Sequence, residues 1–334
     1  MIRKILVTGG AGFVGNVLTP RLLSEGYQVT VYDIMYFGSR TLPIEHPNLH
    51  VIKADIRDIH AFREAVAGQD AVIHLACISN DSSFVLDERL STTVNLEAFE
   101  PLVVAAKAAG VRRFIYCSTS SVYGISDAPD VTEDHPLVPL TLYNKYKAMC
   151  EPLLWKHKAD DFTCVTLRPA TICGYSPRQR LDLSVNILTN HAVTRNLIEV
   201  FGGSQRRPNL HIEDMVDAYL LFLLADHDKI RGETFNVGAQ NMTIMAIAEM
   251  VKKLVEEEYP AREPVGIKVV PTDDNRSYHV NSGKIRRVLG FVPRRSVADA
   301  VRDLCAAFRA GKLPNSMIDD WYYNVRTMKA LNAA

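Results

Sequence analysis

Short runs of aliphatic and β-branched residues alternate with stretches of helical spacing through the first half of the chain. Ile5-Leu6-Val7-Thr8 is a continuous apolar run, the pattern of a strand covered on both faces. A glycine-rich turn follows, and residues 14–25 carry helical spacing that stops at Gly26, a residue suited to a helix C-cap. Further strands are expected at 28–32, ending at Asp33, and at 50–54, 71–75, 113–117 and 164–168, the last closing on Pro169. One helix is expected over 88–109 and another over 142–157. This alternation predicts βαβ units and an open, doubly wound parallel α/β sheet.

Beyond Pro169 the rhythm loosens. Pro, Gly and Arg cluster between 169 and 208, and the strands and helices become shorter and mixed. The expected organisation is a sheet domain over 1–168, rejoined by 212–238. A smaller, interleaved mixed α/β domain is expected from 169–211 and 239–334, with no internal repeat and no low-complexity tail.

Composition narrows the classes. Of 334 residues, 47% are hydrophobic and 23% charged, enough apolar material for a full core. Lys+Arg and Asp+Glu are 38 each. A zero net charge argues against a nucleic-acid partner, and leaves any anionic ligand to be met by locally placed arginines. The cysteines Cys77, Cys117, Cys150, Cys164, Cys173 and Cys305 are scattered, with no CxxC pair. They read as reduced core thiols, with no metal site. Met1-Ile2-Arg3-Lys4 leads straight into a strand without a signal segment, and no apolar run nears the roughly 20 residues of a membrane helix. A cytoplasmic protein with no membrane contact is expected.

Three patterns carry chemistry. Gly9, Gly12 and Gly15 are spaced GxxGxxG between a strand and a helix. The first permits a tight turn, the second lets backbone N–H groups approach a pyrophosphate, and the third lets the helix pack close to the sheet. The helix N-terminus then faces the phosphates. Asp33 stands about 20 residues on, at a strand end, where a carboxylate accepts from both adenosine ribose hydroxyls and repels a 2′-phosphate. NAD is therefore the expected cofactor; Arg40 nearby is the residue that would admit NADP. Asp55-Ile56, after the third strand, is placed for the adenine, although an aspartate there is often plain turn chemistry.

The second pattern is Tyr143-Asn144-Lys145-Tyr146-Lys147, with Tyr143 and Lys147 at i, i+4 on one helix face. A phenol with a pKa near 10 is a poor base at neutral pH. A lysine ammonium one turn away, with the positive nicotinamide ring, would stabilise the phenolate. Alone, Tyr-x-x-x-Lys describes many solvated helix faces. The third pattern supplies the context: Ser118-Thr119-Ser120-Ser121-Val122-Tyr123-Gly124 follows an apolar strand, at the edge of the sheet where ligands bind.

These residues together resemble an extended short-chain dehydrogenase/reductase of the sugar-nucleotide epimerase and dehydratase group, over nearly the whole chain. The match lies in the TGGAGFVG turn, Asp33, Asp55-Ile56, His74-Leu75-Ala76, Asn95, STSSVYG, YNKYK with Glu151, and LHIED at 210–214. The resemblance implies a Rossmann-type domain binding NAD through Gly9, Gly12, Phe13, Val14, Gly15, Asp33, Asp55, Ile56, Leu75, Ala76, Cys77 and Asn95. It implies Thr119 as catalytic hydroxyl, Tyr143 as base and Lys147 on the nicotinamide ribose. The substrate would be a nucleotide-diphosphate sugar, met by Ser79, Asn80, Thr119, Ser120, Ser121 and Thr171. Arg207 and Arg276 match positions that grip its diphosphate, and a planar guanidinium suits bidentate phosphate contact. His211 and Asp214 read as a join between domains. A homodimer through a four-helix interface, built from the helices at 88–109 and 142–157, is implied as well.

Departures from the pattern refine this. Members resembling 4,6-dehydratases follow the threonine with Asp-Glu; here Ser120 and Ser121 stand there, so dehydration lacks its acid–base pair. A family-typical asparagine is replaced by Thr171. The segment at 176–186, with Arg178, Arg180 and Asn186, resembles a branch that includes GDP-heptose C4 dehydrogenases, although arginines beside a helix start are often solvated. The expected activity is oxidation at sugar C4, leading to 4-epimerisation. A 4-dehydrogenase or 4-ketoreductase is the alternative, a 4,6-dehydratase is disfavoured, and a non-catalytic NAD-sensing protein is the rival of another class.

Overall fold

The computed structural model describes residues 1–334 except Asn80, Val85, Asp127, Pro129, 273–276 and 333–334. Seven parallel strands make the main sheet: β1 (Lys4–Thr8), β2 (Gln28–Asp33), β3 (Leu49–Lys53), β4 (Ala71–His74), β5 (Arg113–Cys117), β6 (Thr163–Pro169) and β10 (Glu233–Val237). Their order is β10-β6-β5-β4-β1-β2-β3. The chain leaves β1 toward β2 and returns on its other side as β4, so β1 and β4 flank the topological switch point, where open sheets bind ligands at their C-terminal edge. The doubly wound sheet expected from the apolar runs is therefore present, with the six strands expected in the first half each within a residue of their expected positions and β10 joining them at the edge.

Both faces of this sheet are covered. Helices α1 (Gly15–Ser24) and α7 (Ile212–Leu224) lie on one face, over Ile5, Val7, Val29, Val31 and Ile73. On the other, α2 (Ile59–Val66), α4 (Phe99–Ala108) and α5 (Leu142–Trp155) bury Leu6, Val72, Phe114 and Tyr116. Residues 212–238 thus return to the sheet as α7 and β10.

The single helix expected over 88–109 is a correction. It is two α-helical pieces, α3 (Glu88–Thr92) and α4, joined by a π-turn over Thr93–Glu97. At the junction two side chains also bond back to the ladder: Thr92 Oγ1 donates to Glu88 O at 2.7 Å and Thr93 Oγ1 to Leu90 O at 2.9 Å. The wider turn sets Asn95 against the loop after β4, where it donates to Ile78 O and accepts from Ile78 N–H.

The remaining strands are short and lie in two small sheets, β11 (Gln240–Thr243)–β9 (Arg206–His211)–β7 (Thr171–Cys173) and β12 (Gly266–Val270)–β8 (Leu197–Phe201). They share a core with α6 (Ser184–Arg195), α8 (Ile244–Glu258) and α9 (Val297–Arg309). His211 caps α7, accepting from Glu213 N–H, and reaches Asp303 of α9. Asp214 accepts from the Arg294 and Arg295 N–H groups, so this pair ties α7 to the chain entering α9. No described helix is long and apolar enough to cross a membrane.

Candidate active site

One cavity of about 410 Å³ runs along the C-terminal edge of the sheet, from the glycine turn to the N-terminus of α5. At one end the turn is drawn tight against its neighbours. A Cβ on Gly9 would stand 2.6 Å from Ala76 N, and one on Gly15 would stand 2.3 Å from Gly10 O. Neither position admits a side chain, so the turn packs this closely only with glycine there, and Gly9, Gly12 and Gly15 line the cavity. Asn16, not singled out by the sequence reading, clamps it by donating to Ala11 O and Gly12 O. Phe13, Val14, Leu75, Ala76 and Cys77 line the same part of the cavity.

Asp33 closes this end. Its oxygens accept from Ala11 N–H at 3.0 Å and Met35 N–H at 2.7 Å, leaving lone pairs for ligand hydroxyls. Burial pushes its carboxyl above the usual value, against those two bonds and the charge of Arg178. Asp55 and Ile56 line the wall. The Asp55 carboxylate is already paired with Arg57 at 2.5 Å; burial works against its ionisation, but Arg57 holds it below the usual range. Arg40, the residue that would admit NADP, stacks on Trp321 at 4.1 Å instead. Glycine turn, helix N-terminus and ribose carboxylate together fit NAD.

At the other end, Thr141 caps α5 by accepting from Asn144 N–H, which starts the helix so that Tyr143 and Lys147 face the cavity. Lys147 is buried, and its Nζ donates to Cys117 O at 2.7 Å. Among the described residues no hydrogen bond engages the Tyr143 phenol. Burial holds that phenol well above the usual tyrosine value; Cys77 and Cys117 add to this, Arg180 pulls it down and Asp81 pushes it up. The Lys147 ammonium lies one helical turn away, bonded to the Cys117 carbonyl, and Arg180 is a cation that works against burial.

Thr119 follows β5, with its hydroxyl 2.8 Å from Ser121 Oγ, which in turn lies 2.6 Å from Asn144 Oδ1. Ser120 and Ser121 also line the cavity, as do Ser79, Thr171 and Arg207. Arg207 lies over the Tyr278 ring at 5.5 Å. Beneath the site, Ser118 donates to the buried Glu151, which forms a two-pronged pair with Arg168 at 3.0 and 2.6 Å.

The arginine segment is not solvated. Arg178 is 1% exposed, its guanidinium 3.6 Å from the centre of the Phe37 ring, and burial lowers its pKa to about 9. Arg180 bonds Asp182 at 2.9 Å and Ser79 at 3.4 Å. Asn324, far along the chain, joins both parts: it accepts from Arg178 at 2.7 Å and donates to Ser79 at 2.9 Å. Asn95 and Asn186 do not line the cavity. Asn95 is spent on Ile78, and Asn186 holds the loop by accepting from Gly174 N–H and donating to Arg180 O. Asn80 and Arg276 lie outside the described residues. Asn144, Phe37 and Asn324 are cavity residues that sequence reasoning missed. Asn144 stands at an unspecified position of the Tyr-x-x-x-Lys motif, and no motif marks Phe37 or Asn324, since each acts through a partner distant in sequence.

Comparison with known proteins agrees with this geometry. Residues 5–238 match the model of the NAD dependent epimerase/dehydratase family. A dTDP-glucose 4,6-dehydratase of Streptomyces niveus is 30% identical over 92% of this chain and 93% of its own. A UDP-glucose 4-epimerase of Lactobacillus helveticus is 28% identical over 89% of this chain and 94% of its own. Among solved structures, the UDP-glucuronic acid 4-epimerase of Bacillus cereus, in complex with UDP-glucuronic acid and NAD, superposes with a TM-score of 0.81 at 25% identity, covering 92% of this chain and 99% of the other. The chain belongs to the NAD-dependent epimerase/dehydratase family.

Proposed function

We propose that this protein is an NAD-dependent 4-epimerase of a nucleotide-diphosphate sugar, acting through transient oxidation at C4. The observation that carries the reading is the catalytic end of the cavity. Thr119, Tyr143 and Lys147 converge there, while positions 120 and 121 hold serines where a dehydratase would place a carboxylate pair. Bound NAD supplies a hydride acceptor.

The chain's own residues do the rest. Tyr143, ionised, accepts the proton of the sugar hydroxyl, and Thr119 holds that hydroxyl beside it. Lys147 and Arg180 are the cations that favour the ionised phenol once ligand fills the cavity. Asp33 takes the adenosine ribose, and the glycine turn takes the pyrophosphate. Arg178, Arg180 and Arg207 serve the anionic substrate, with Ser79 and Thr171 on the sugar. Two copies of the chain would pair through α4 and α5.

The test incubates purified protein with GDP-, UDP-, dTDP- and CDP-sugars, with and without added NAD, following the NADH absorbance and product masses. An isomer of unchanged mass with no net NADH is the expected result. A product two hydrogens lighter with stoichiometric NADH makes it a 4-dehydrogenase of the GDP-heptose kind, and loss of water makes it a dehydratase. Tyr143→Phe is expected to abolish turnover; retained function in that variant would mark a binding protein.

A further inference from the structure

Among the described residues, three carboxylates line the cavity. Asp33 and Asp55 stand at the glycine-turn end. Asp81 stands at the other, close enough to Tyr143 for its charge to act on the phenol. It opens a short helical turn, Asp81–Phe84, in the chain after β4. That turn is fixed against α5. Phe84 is buried, its ring 6.5 Å from the Tyr143 ring and 5.4 Å from that of Tyr146, and its carbonyl accepts from Ser91 Oγ at 2.9 Å. The Asp81 carboxylate accepts from Thr141 Oγ1 at 2.5 Å, and Thr141 caps the helix that carries the base. Its place in the cavity is thus set by the same elements that set Tyr143.

For the proton transfer alone this carboxylate is a handicap. Burial, with Cys77 and Cys117, holds the phenol up, Arg180 pulls it down, and Asp81 pushes it up again. A negative charge beside a base that must itself become negative slows the reaction, so the compensation lies with the substrate. A carboxylate only accepts hydrogen bonds, and accepts at both oxygens. A sugar brings hydroxyl donors, and their bonds to a charged acceptor are stronger than bonds to a neutral one.

We propose that Asp81 is a specificity-determining residue that accepts a hydrogen bond from a sugar hydroxyl other than the one Tyr143 deprotonates, and so selects a sugar hydroxylated at that carbon over its deoxy counterpart. The proposal rests on the nucleotide-sugar reading above, and not on epimerisation in particular. The two acceptors take different protons. The hydroxyl on Asp81 keeps its proton throughout, while the proton of the reacting hydroxyl passes to Tyr143. A deoxy sugar would leave the carboxylate desolvated without that donor, which is how a buried polar group rejects an analogue lacking its partner.

Binding is measured first without turnover, by calorimetry on NAD-loaded protein carrying Tyr143→Phe. The probes are the GDP-, UDP-, dTDP- and CDP-sugars and the corresponding nucleoside diphosphates. Adding Asp81→Ala should weaken the nucleotide sugar that binds by roughly 10–100-fold and leave the affinity for its bare diphosphate unchanged. Monodeoxy forms of that sugar identify the hydroxyl: one of them should bind weakly where Asp81 is present and lose nothing more on Asp81→Ala. Equal losses for the nucleotide sugar and the bare diphosphate would make Asp81 a structural prop. No loss, or the same further loss for every deoxy form, would take it off the sugar; each of these overturns the proposal. The second measurement is kinetic, on the chain that keeps Tyr143. Asp81→Asn removes a charge that raises the phenol, so the rising limb of the kcat profile should move to lower pH while KM rises. A limb that stays in place would set the carboxylate apart from the base and reject the proposal. If no nucleotide sugar binds at all, the nucleotide-sugar reading falls and takes this one with it; if one binds and Asp81→Ala spares it, only the assignment of Asp81 falls.

Discussion

At the residue scale the site is a contest over the Tyr143 proton. Burial keeps the phenol protonated, and Arg180, whose side chain is held in place by Asp182 and Ser79, pulls it down. The sign follows directly. Removing a cation that favours the phenolate raises the phenol further, so the pH at which the base becomes active moves up. Arg180→Met should therefore shift the rising limb of the kcat profile to higher pH, with a loss on the order of tenfold at neutral pH. A profile that keeps its midpoint while KM rises would give Arg180 to substrate binding alone. The Tyr-Lys pair was legible because it is local, one helical turn on one face. Arg180's influence on Tyr143 was not, since it depends on how the loop at 176–182 folds back over the sheet.

At the element scale the sheet positions the site, and two buried groups beneath it set its stability. Glu151 on α5 is fully buried and pairs with Arg168 on β6 while accepting from Ser118 after β5, so one carboxylate ties three elements below Thr119. Removing one partner strands a buried charge, and Glu151→Ala should cost about 3–5 kcal/mol in chemical denaturation. A loss under about 1 kcal/mol would mean that water reaches Arg168. His74, at the end of β4, is fully desolvated, and burial with the nearby Lys147 charge lowers its pKa to about 3. The unfolded chain takes up this proton near pH 6.5, and the native state does not until about pH 3. Stability held above 6.5 is thus lost as pH falls, at about 1.4 kcal/mol per pH unit. Denaturation midpoints at pH 7 and 5 should show this slope, and His74→Gln should flatten it; an equal slope in the variant would assign it to other groups. The β4 run and its neighbours were readable because parallel strands buried on both faces are almost wholly apolar. The π-turn was not, since one wider backbone bond, from Ala98 N–H to Thr93 O, leaves no mark in the apolar spacing.

At the scale of the whole molecule, legibility follows the distance between partners. The sheet, the glycine turn and Asp33 are encoded within a few dozen residues of one another. The cavity's far wall is assembled from the arginine segment, the loop after β4 and Asn324, which only the finished fold brings together. The strands of the two small sheets are also short and partly exposed, and β12 shows no continuous apolar run. The same reasoning bears on assembly. The two helices proposed to pair lie side by side and carry Val104, 45% exposed, and Met149, 42% exposed, on their outer surfaces. Paired across a two-fold axis, they would withdraw from water the apolar area that each copy leaves open, burying it against itself in a four-helix layer. Light scattering should then give twice the 37.3 kDa of one chain. A glutamate at either position would place like charges across the axis, so Val104→Glu combined with Met149→Glu should halve the mass while the far-UV spectrum stays unchanged. Since α5 also carries Tyr143 and Lys147, separation of the copies should lower kcat as its support is lost, whereas a wild type that scatters as a single chain would remove the interface altogether.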